Sequence, residues 1–225
     1  MEKLLLAGKM VELFSSQREE APLVLLHTVH GEGAKVYAAV SRLTTADFSF
    51  AAIDGLNWDG EMSPWPIPPI AKGDTPCTGG ADVYLAKLTE IILPDVLACL
   101  PSKPVYIALT GYSLAGLFAL YAMYRTDLFG RIASASGSLW YPDFLSFAQG
   151  QQLKRVPDCI YFSLGDKEAR TRNKVLQPVE GNTRRLKEYY QKRGISTILE
   201  MNPGNHFTDG IGRMARGISW ILSQG

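Results

Sequence analysis

The pentad "GYSLA" at residues 111–115 places a serine between an apolar run and an Ala-rich run. A serine held in a sharp strand-to-helix turn can act as a nucleophile, and the residues two positions away on either side must then be small. Gly111 and Ala115 are both small, although a second glycine is usual at the position of Ala115. Ser113 is therefore predicted to be a nucleophile, and a turn without chemistry is the alternative.

A serine nucleophile needs a base, and the chain has three histidines, His27, His30 and His206. In a strand–helix fold with such a turn, the chain order is serine, acid, histidine. His206 is the one histidine that follows Ser113, and it lies in the loop "NPGNHFTDG" after the last predicted strand. This position predicts that His206 is the general base.

The acid that orients the histidine is expected in "YFSLGDKEAR", because this segment turns directly after a buried apolar run. The spacing strand-Gly-x-x-acid selects Glu168, three residues after Gly165. Asp166 is the alternative acid, and a Ser–His pair without an acid is a third possibility.

Two backbone N–H groups are expected to stabilise the oxyanion of an acyl-transfer reaction. One belongs to Leu114, directly after the predicted nucleophile, where the free N–H groups of a helix start also favour negative charge. The other is expected from the loop after "PLVLLH", at Thr28 or Val29. The sequence does not choose between these two, because backbone donors leave no side-chain signature.

Aromatic residues are concentrated in the segments expected around the site. Trp58 lies in the irregular stretch 55–80, and Trp140 and Tyr141 lie in "SGSLWYP". An irregular stretch of that length is usually a functional loop. Together with Tyr112 beside the serine, these residues predict a pocket for an apolar or aromatic acyl group, and a cluster of core aromatics under a long loop is the alternative.

The elements that must position these residues alternate along the chain. Apolar runs predict strands at 3–14, 22–27, 48–54, 104–110, 131–137, 159–165 and 196–202. Helical spacing predicts helices at 32–42, 81–100 with an interruption at Pro94, 114–126, 182–194 and 209–222. Such alternation predicts an α/β fold, in which a mostly parallel sheet carries helices on both faces, with an antiparallel pair at the N-terminus. Ligands then bind beyond the carboxyl ends of the strands.

Length and composition are those of a soluble globular chain. The 225 residues are predicted to form one domain, 1–225, and a net charge of +1 gives no reason to expect a nucleic-acid partner. The N-terminal apolar run is too short for a signal segment or a membrane span, so no membrane partner is expected. Three cysteines without a Cys-x-x-Cys pair predict neither a metal site nor a disulfide framework, which favours a cytoplasmic location. No feature specifies an oligomeric state.

With these residues placed, the chain resembles the α/β-hydrolase superfamily. The segments "GYSLAG", "SGSLW", "LGDKE" and "GNHF" occur in that order and are most similar to the esterase branch that includes esterase D and the enterochelin-type siderophore esterases. The resemblance implies an α/β-hydrolase fold and hydrolysis of a small carboxylic ester through an acyl-enzyme, without a cofactor. It implies Ser113 as nucleophile, His206 as base and Glu168 as its partner. Ala115 and the loop "LHTVHG" depart from the family pattern.

Other functions share this chemistry or this fold. A thioesterase or an acyltransferase differs only in the leaving group or the acceptor. A siderophore-lactone esterase would call for a polar or basic pocket rim, which Arg170, Arg172 and Lys174 could supply, and a charged, solvated loop is the alternative interpretation of these residues. A hydrolase-like binding protein without activity is the alternative from a different class.

Overall fold

An antiparallel hairpin begins the chain and forms one edge of the central sheet in the computed structural model, which describes all 225 residues. β1 (Glu2–Leu6) and β2 (Lys9–Phe14) are joined by Ala7 and Gly8, both with positive φ. Two such residues form the turn whose twist matches that of the flanking strands. β2 then pairs antiparallel with β4 (Ser49–Asp54), so residues 3–14, predicted as a strand next to 22–27, form two antiparallel strands and do not pair with β3.

The other strands of the eight-stranded sheet run parallel to one another. They are β3 (Leu23–His27), β4, β7 (Ile107–Tyr112), β8 (Phe129–Ala135), β9 (Cys159–Gly165) and β10 (Ser196–Asn202). A separate small hairpin consists of β5 (Pro66–Ile67) and β6 (Cys77–Thr78). The strand order across the main sheet is β1-β2-β4-β3-β7-β8-β9-β10.

Helices cover both faces of this sheet. One face carries α1 (Gly33–Leu43) and α8 (Gly210–Leu222). The other carries α3 (Ala81–Lys87), a π-helical turn (Leu88–Ile92), α4 (Leu93–Ala98), α5 (Leu114–Ala122), α6 (Phe144–Gly150) and α7 (Val179–Lys192). The short α2 (Trp58–Glu61) packs near α3. The predicted α/β-hydrolase fold, with a mostly parallel sheet between two helical layers, is confirmed.

The continuous apolar strands are explained by burial on both faces. In β3, Leu23 and Leu25 pack into the core under α3–α7, while Val24 and Leu26 pack into the core under α1 and α8. A strand with helices on both sides has no solvent-facing position, so its sequence does not alternate between apolar and polar residues.

Two stretches differ from the sequence expectation. The interruption predicted at Pro94 is a local widening into the π-helical turn 88–92, after which the helix continues. A proline has no N–H and its ring crowds the preceding turn, and a π-turn accommodates both without ending the helix. Residues 55–80 are not wholly irregular, since they contain α2 and the hairpin of β5 and β6, and α6 was not expected.

The register brings the ends of the parallel strands together. Gly111 of β7 lies opposite His27 of β3 and Ser134 of β8, and Gly165 of β9 lies opposite Asn202 of β10. Every loop that follows one of these strands therefore begins at the same edge of the sheet. No helix in the chain is long and apolar enough to cross a lipid bilayer.

Candidate active site

Ser113 occupies the sharp turn between β7 and α5, with φ of 58° and ψ of −124°. A non-glycine residue in this region is strained, and such strain is concentrated at functional sites. The turn is tight enough that a Cβ on Gly111 would lie 2.5 Å from the backbone carbon of Ala115. The N–H of Ser113 donates to Ala135 of β8 at 3.2 Å, which ties the turn to the neighbouring strand.

Three side chains from separate loops form a hydrogen-bonded chain at the edge of the sheet. Ser113 Oγ lies 3.1 Å from His206 Nε2, and His206 Nδ1 lies 2.8 Å from Glu168 Oε2. An ionised carboxylate can only accept, so Nδ1 carries the hydrogen and Nε2 is free to accept the proton of Ser113. This arrangement is that of a nucleophile, a general base and an orienting acid.

The two carboxylates after β9 have different partners. Asp166 accepts a hydrogen bond from the backbone N–H of Gly204 at 2.8 Å, so it anchors the loop that carries His206. Glu168 is the carboxylate in contact with the imidazole, and only 4% of its side chain is exposed. Burial alone raises the pKa of Glu168, but hydrogen bonds from His206, Gly165 and Ser136 outweigh it and hold that pKa below its ordinary value of 4.5.

Sequence reasoning missed the cation behind this acid. Arg213 lies on α8 and is fully buried, and its Nη1 donates to Glu168 Oε1 at 2.8 Å. Its other nitrogen donates to the carbonyls of Pro203 and Asn205, in the loop that carries His206. An arginine in an amphipathic C-terminal helix gives no sign in the sequence that it points inward.

The expected oxyanion donors lie at two loops. Leu114 is the first residue of α5, where a backbone N–H has no partner within the helix. The N–H of Thr28 donates to Ile53 of β4 at 2.9 Å and continues the sheet, so it is occupied. The N–H of Val29 donates to a carboxylate oxygen of Glu32 over a long 3.3 Å, so of the two candidates this donor is the more easily released to another acceptor.

A cavity of about 580 Å³ opens at the serine and is lined by the imidazole and Glu168 as well. Trp58 and Trp140 line it, as the sequence predicted for a pocket. Tyr112 and Tyr141 lie outside its lining. Buried tyrosine hydroxyls need partners, and these two donate away from the cavity, to His206 O at 2.6 Å and to Trp65 O at 2.5 Å respectively.

The charges that line the cavity are acidic. Asp59 and Asp74 contribute carboxylates in addition to Glu168, and no lysine or arginine is among the lining residues. Arg170, Arg172 and Lys174, which could have formed a basic rim, are therefore not part of the wall. Phe207, 91% exposed, also lines the cavity directly after the catalytic histidine candidate, and sequence analysis did not single it out.

The strand order, the strained serine turn and the order serine–acid–histidine along the chain together define an α/β hydrolase. The sequence of the chain matches the family described as Putative esterase over residues 19–210. The chain belongs to this Putative esterase family. A relative, the uncharacterized protein YbbA of Bacillus subtilis, is 24% identical over 139 residues, which are 60% of this chain. The match spans 56% of the length of that relative.

Solved structures with similar folds include a serine hydrolase and a siderophore hydrolase. An IroE-like serine hydrolase from Shewanella oneidensis has a TM-score of 0.75 at 16% identity, over 94% of this chain and 74% of that one. The siderophore hydrolase EstB from Aspergillus nidulans has a TM-score of 0.69 at 19% identity, over 97% and 92% of the two chains. At these identities the similarity concerns the fold.

Proposed function

We propose that the protein is a serine esterase that cleaves a small carboxylic ester through an acyl-enzyme intermediate. The observation that carries this proposal is the continuous chain of contacts from Ser113 Oγ through His206 to Glu168, at 3.1 and 2.8 Å, opening into the cavity. A serine hydroxyl is a weak nucleophile at neutral pH, and an adjacent oriented base is what activates it.

In the first half of the reaction, Ser113 Oγ attacks the ester carbonyl while His206 Nε2 takes its proton. Glu168 stabilises the imidazolium that forms, without itself becoming protonated. The negative oxygen of the tetrahedral intermediate accepts hydrogen bonds from the N–H groups of Leu114 and Val29. The N–H of Val29 gives up its hydrogen bond to Glu32 and donates to the substrate oxygen instead. His206 then protonates the leaving alcohol, which departs and leaves the acyl group on Ser113.

The second half repeats these steps with water. His206 takes a proton from a water molecule, whose oxygen attacks the acyl carbonyl, and the same two N–H groups stabilise the new oxyanion. Collapse of this intermediate returns the proton to Ser113 and releases the acid. Trp58, Trp140 and Phe207 supply apolar contacts for the acyl or alcohol group in the cavity.

The experiment that tests this function is the replacement of Ser113 by alanine. We expect kcat for p-nitrophenyl acetate to fall by about 10⁶-fold with the fold intact, because the nucleophile and its activation are lost together. A fluorophosphonate, which reacts only with an activated serine, should label the unsubstituted enzyme and not the variant. Ser41→Ala, on an exposed position of α1, is the matched control. Undiminished hydrolysis by Ser113→Ala would refute the assignment.

A siderophore lactone is a second candidate substrate, because the solved structures with a similar fold include a siderophore hydrolase and an enterobactin esterase. The acidic lining of the cavity favours neutral or cationic esters over an anionic iron–siderophore complex, since like charges repel. To distinguish the two candidate substrates, kcat/KM is measured for a neutral aryl ester and for a ferric siderophore lactone. A higher kcat/KM for the siderophore would favour this second candidate.

A further inference from the structure

The two oxygens of the Glu168 carboxylate have separate tasks. Oε1 accepts from three donors: the backbone N–H of Gly165 at 2.6 Å, Ser136 Oγ at 2.9 Å and Arg213 Nη1 at 2.8 Å. Oε2 has one partner, His206 Nδ1, at 2.8 Å. Since Oε1 is saturated, the carboxylate has a single orientation in which Oε2 faces the imidazole.

Arg213 contacts both the residue before Ser113 and the loop that carries His206. Its Nη1 also donates to Ser136 Oγ at 2.9 Å and to the hydroxyl of Tyr112 at 3.3 Å, the residue before the serine. Its Nη2 donates to the carbonyls of Pro203 and Asn205, which precede His206 in the same loop. A planar guanidinium with several donors in a rigid fork can hold a carboxylate and a loop at once, whereas a lysine ammonium cannot.

Because Arg213 is fully buried, its contact with Glu168 favours the ionised form of the carboxylate. The Arg213 side chain has no exposed surface, and a buried cation needs an anion beside it. Glu168 is the one acidic side chain within hydrogen-bonding distance of the guanidinium. The pair therefore keeps the carboxylate ionised and in place in a site from which water is largely excluded.

We propose that Arg213 is a positioning residue of the reaction, which holds the ionised Glu168 in the orientation that lets His206 activate Ser113. This inference rests on the proposed function of the site. Its effect is on turnover rather than on substrate binding, because Arg213 does not line the cavity.

The test is a double-substitution cycle that combines Arg213→Met with Glu168→Gln. With Glu168 present, we expect Arg213→Met to lower kcat by about 10²-fold, because small displacements of catalytic groups have effects of that size, and to change KM by no more than about threefold. With Gln at position 168, the same substitution should change kcat by no more than about twofold, because the carboxylate on which Arg213 acts is absent. Equal losses of kcat in the two backgrounds would show that Arg213 acts only on the overall structure and would overturn the inference.

Stability is controlled within the same set of variants. The double variant replaces a buried ion pair by a neutral pair of similar volume, which proteins generally tolerate, whereas Arg213→Met alone leaves a buried carboxylate without its cation. If Arg213→Met does not fold, the cycle is run with Arg213→Lys, which keeps the positive charge but loses the planar set of donors. The change in kcat caused by Arg213→Lys is then compared between the proteins with Glu and with Gln at position 168. Arg216→Met, three residues along the same helix, is the matched control, since Arg216 pairs with Glu200 and Asp209. It should leave kcat within about twofold.

Failure of this inference is distinct from failure of the proposed function. If Arg213 has no positioning role, Ser113→Ala still abolishes hydrolysis and the fluorophosphonate still labels Ser113. If the proposed function is wrong, Ser113→Ala remains active and no label is found, whatever the cycle at Arg213 gives.

Discussion

At the scale of single residues, two carboxylates only two positions apart have different surroundings. The side chain of Glu168 lies among four donors and is almost fully buried, while the exposed Asp166 accepts from the N–H of Gly204. The contact with Arg213, a charge-assisted hydrogen bond, keeps the charge of Glu168 next to the imidazole. The chemistry of the acid is therefore set by its partners, since both residues follow the same strand.

Substitution of each carboxylate by its amide tests this difference. Glu168→Gln should lower kcat by roughly 10³–10⁴-fold, because the amide neither stabilises the imidazolium nor favours the correct tautomer. Asp166→Asn should change kcat by less than about threefold, because its amide oxygen can still accept from Gly204. Steady-state kinetics of both variants decide, and the reverse ranking would make Asp166 the acid.

At the scale of elements, the junction of β7 and α5 depends on close approach of backbone to backbone. Gly111 and Ala115 face each other across the serine, and Gly116 lies against β8, where a Cβ would be 2.9 Å from Ser134 Oγ. The small residues of the pentad are thus required by packing as well as by the strained serine.

Gly111→Ala should therefore damage the junction. The added Cβ would lie 2.5 Å from the backbone of Ala115, and we expect a loss of about 1–3 kcal/mol in the free energy of unfolding, together with a lower kcat. Urea unfolding followed by circular dichroism measures the first effect. Gly181→Ala, in α7 with nothing within 4 Å of the new Cβ, is the matched control and should stabilise by about 0.5–1 kcal/mol. A stability of Gly111→Ala equal to that of the unsubstituted protein would contradict this account.

At the scale of the whole molecule, a fully buried histidine lies at the end of a central strand of the sheet. His27 ends β3, contacts the hydroxyl of Tyr84 on α3 at 2.8 Å and is fully buried. Burial first, and then the charge of Lys9 on β2, lower the pKa of His27 from 6.5 to about 3. His27 is therefore neutral in the folded protein at neutral pH.

The lowered pKa makes stability depend on pH in a defined direction. Above pH 6.5 the histidine is neutral in both states, so its contribution to stability is fully present. As pH falls from 6.5 toward 3, the unfolded chain takes up the proton first, and we expect a loss of about 2 kcal/mol between pH 7 and pH 5. The free energy of unfolding is measured by urea titration at pH 7 and at pH 5. In His27→Gln the part of its decrease that is due to His27 should be absent. His30→Gln, at an exposed position nearby, should retain it, and an unchanged loss in His27→Gln would count against the lowered pKa.

The local sequence pattern was sufficient to predict some strands and helices but not others. The runs at 159–165 and 196–202 form strands with the predicted bounds. β9 is buried at every position because helices cover both of its faces, whereas β10, at the edge of the sheet, is only partly buried. Helix α6 and the hairpin of β5 and β6 were missed, because short elements in a Pro- and Gly-rich chain are stabilised by contacts with distant residues.

The sequence by itself determined the α/β class, the strand-turn-helix setting of Ser113 and the order in which Glu168 and His206 follow it, because these features depend on neighbouring residues and on chain order. The tertiary structure alone decided that Glu168 contacts His206 while Asp166 binds Gly204, that Arg213 lies behind the acid, and that the cavity is lined by acidic rather than basic residues. These outcomes depend on which loops meet at the carboxyl edge of the sheet. The contacts of Glu168 and Ser113 with His206 join segments 38 and 93 residues apart. Chain order and local spacing suggest these partners, but only the folded chain brings their atoms within the roughly 3 Å of a hydrogen bond.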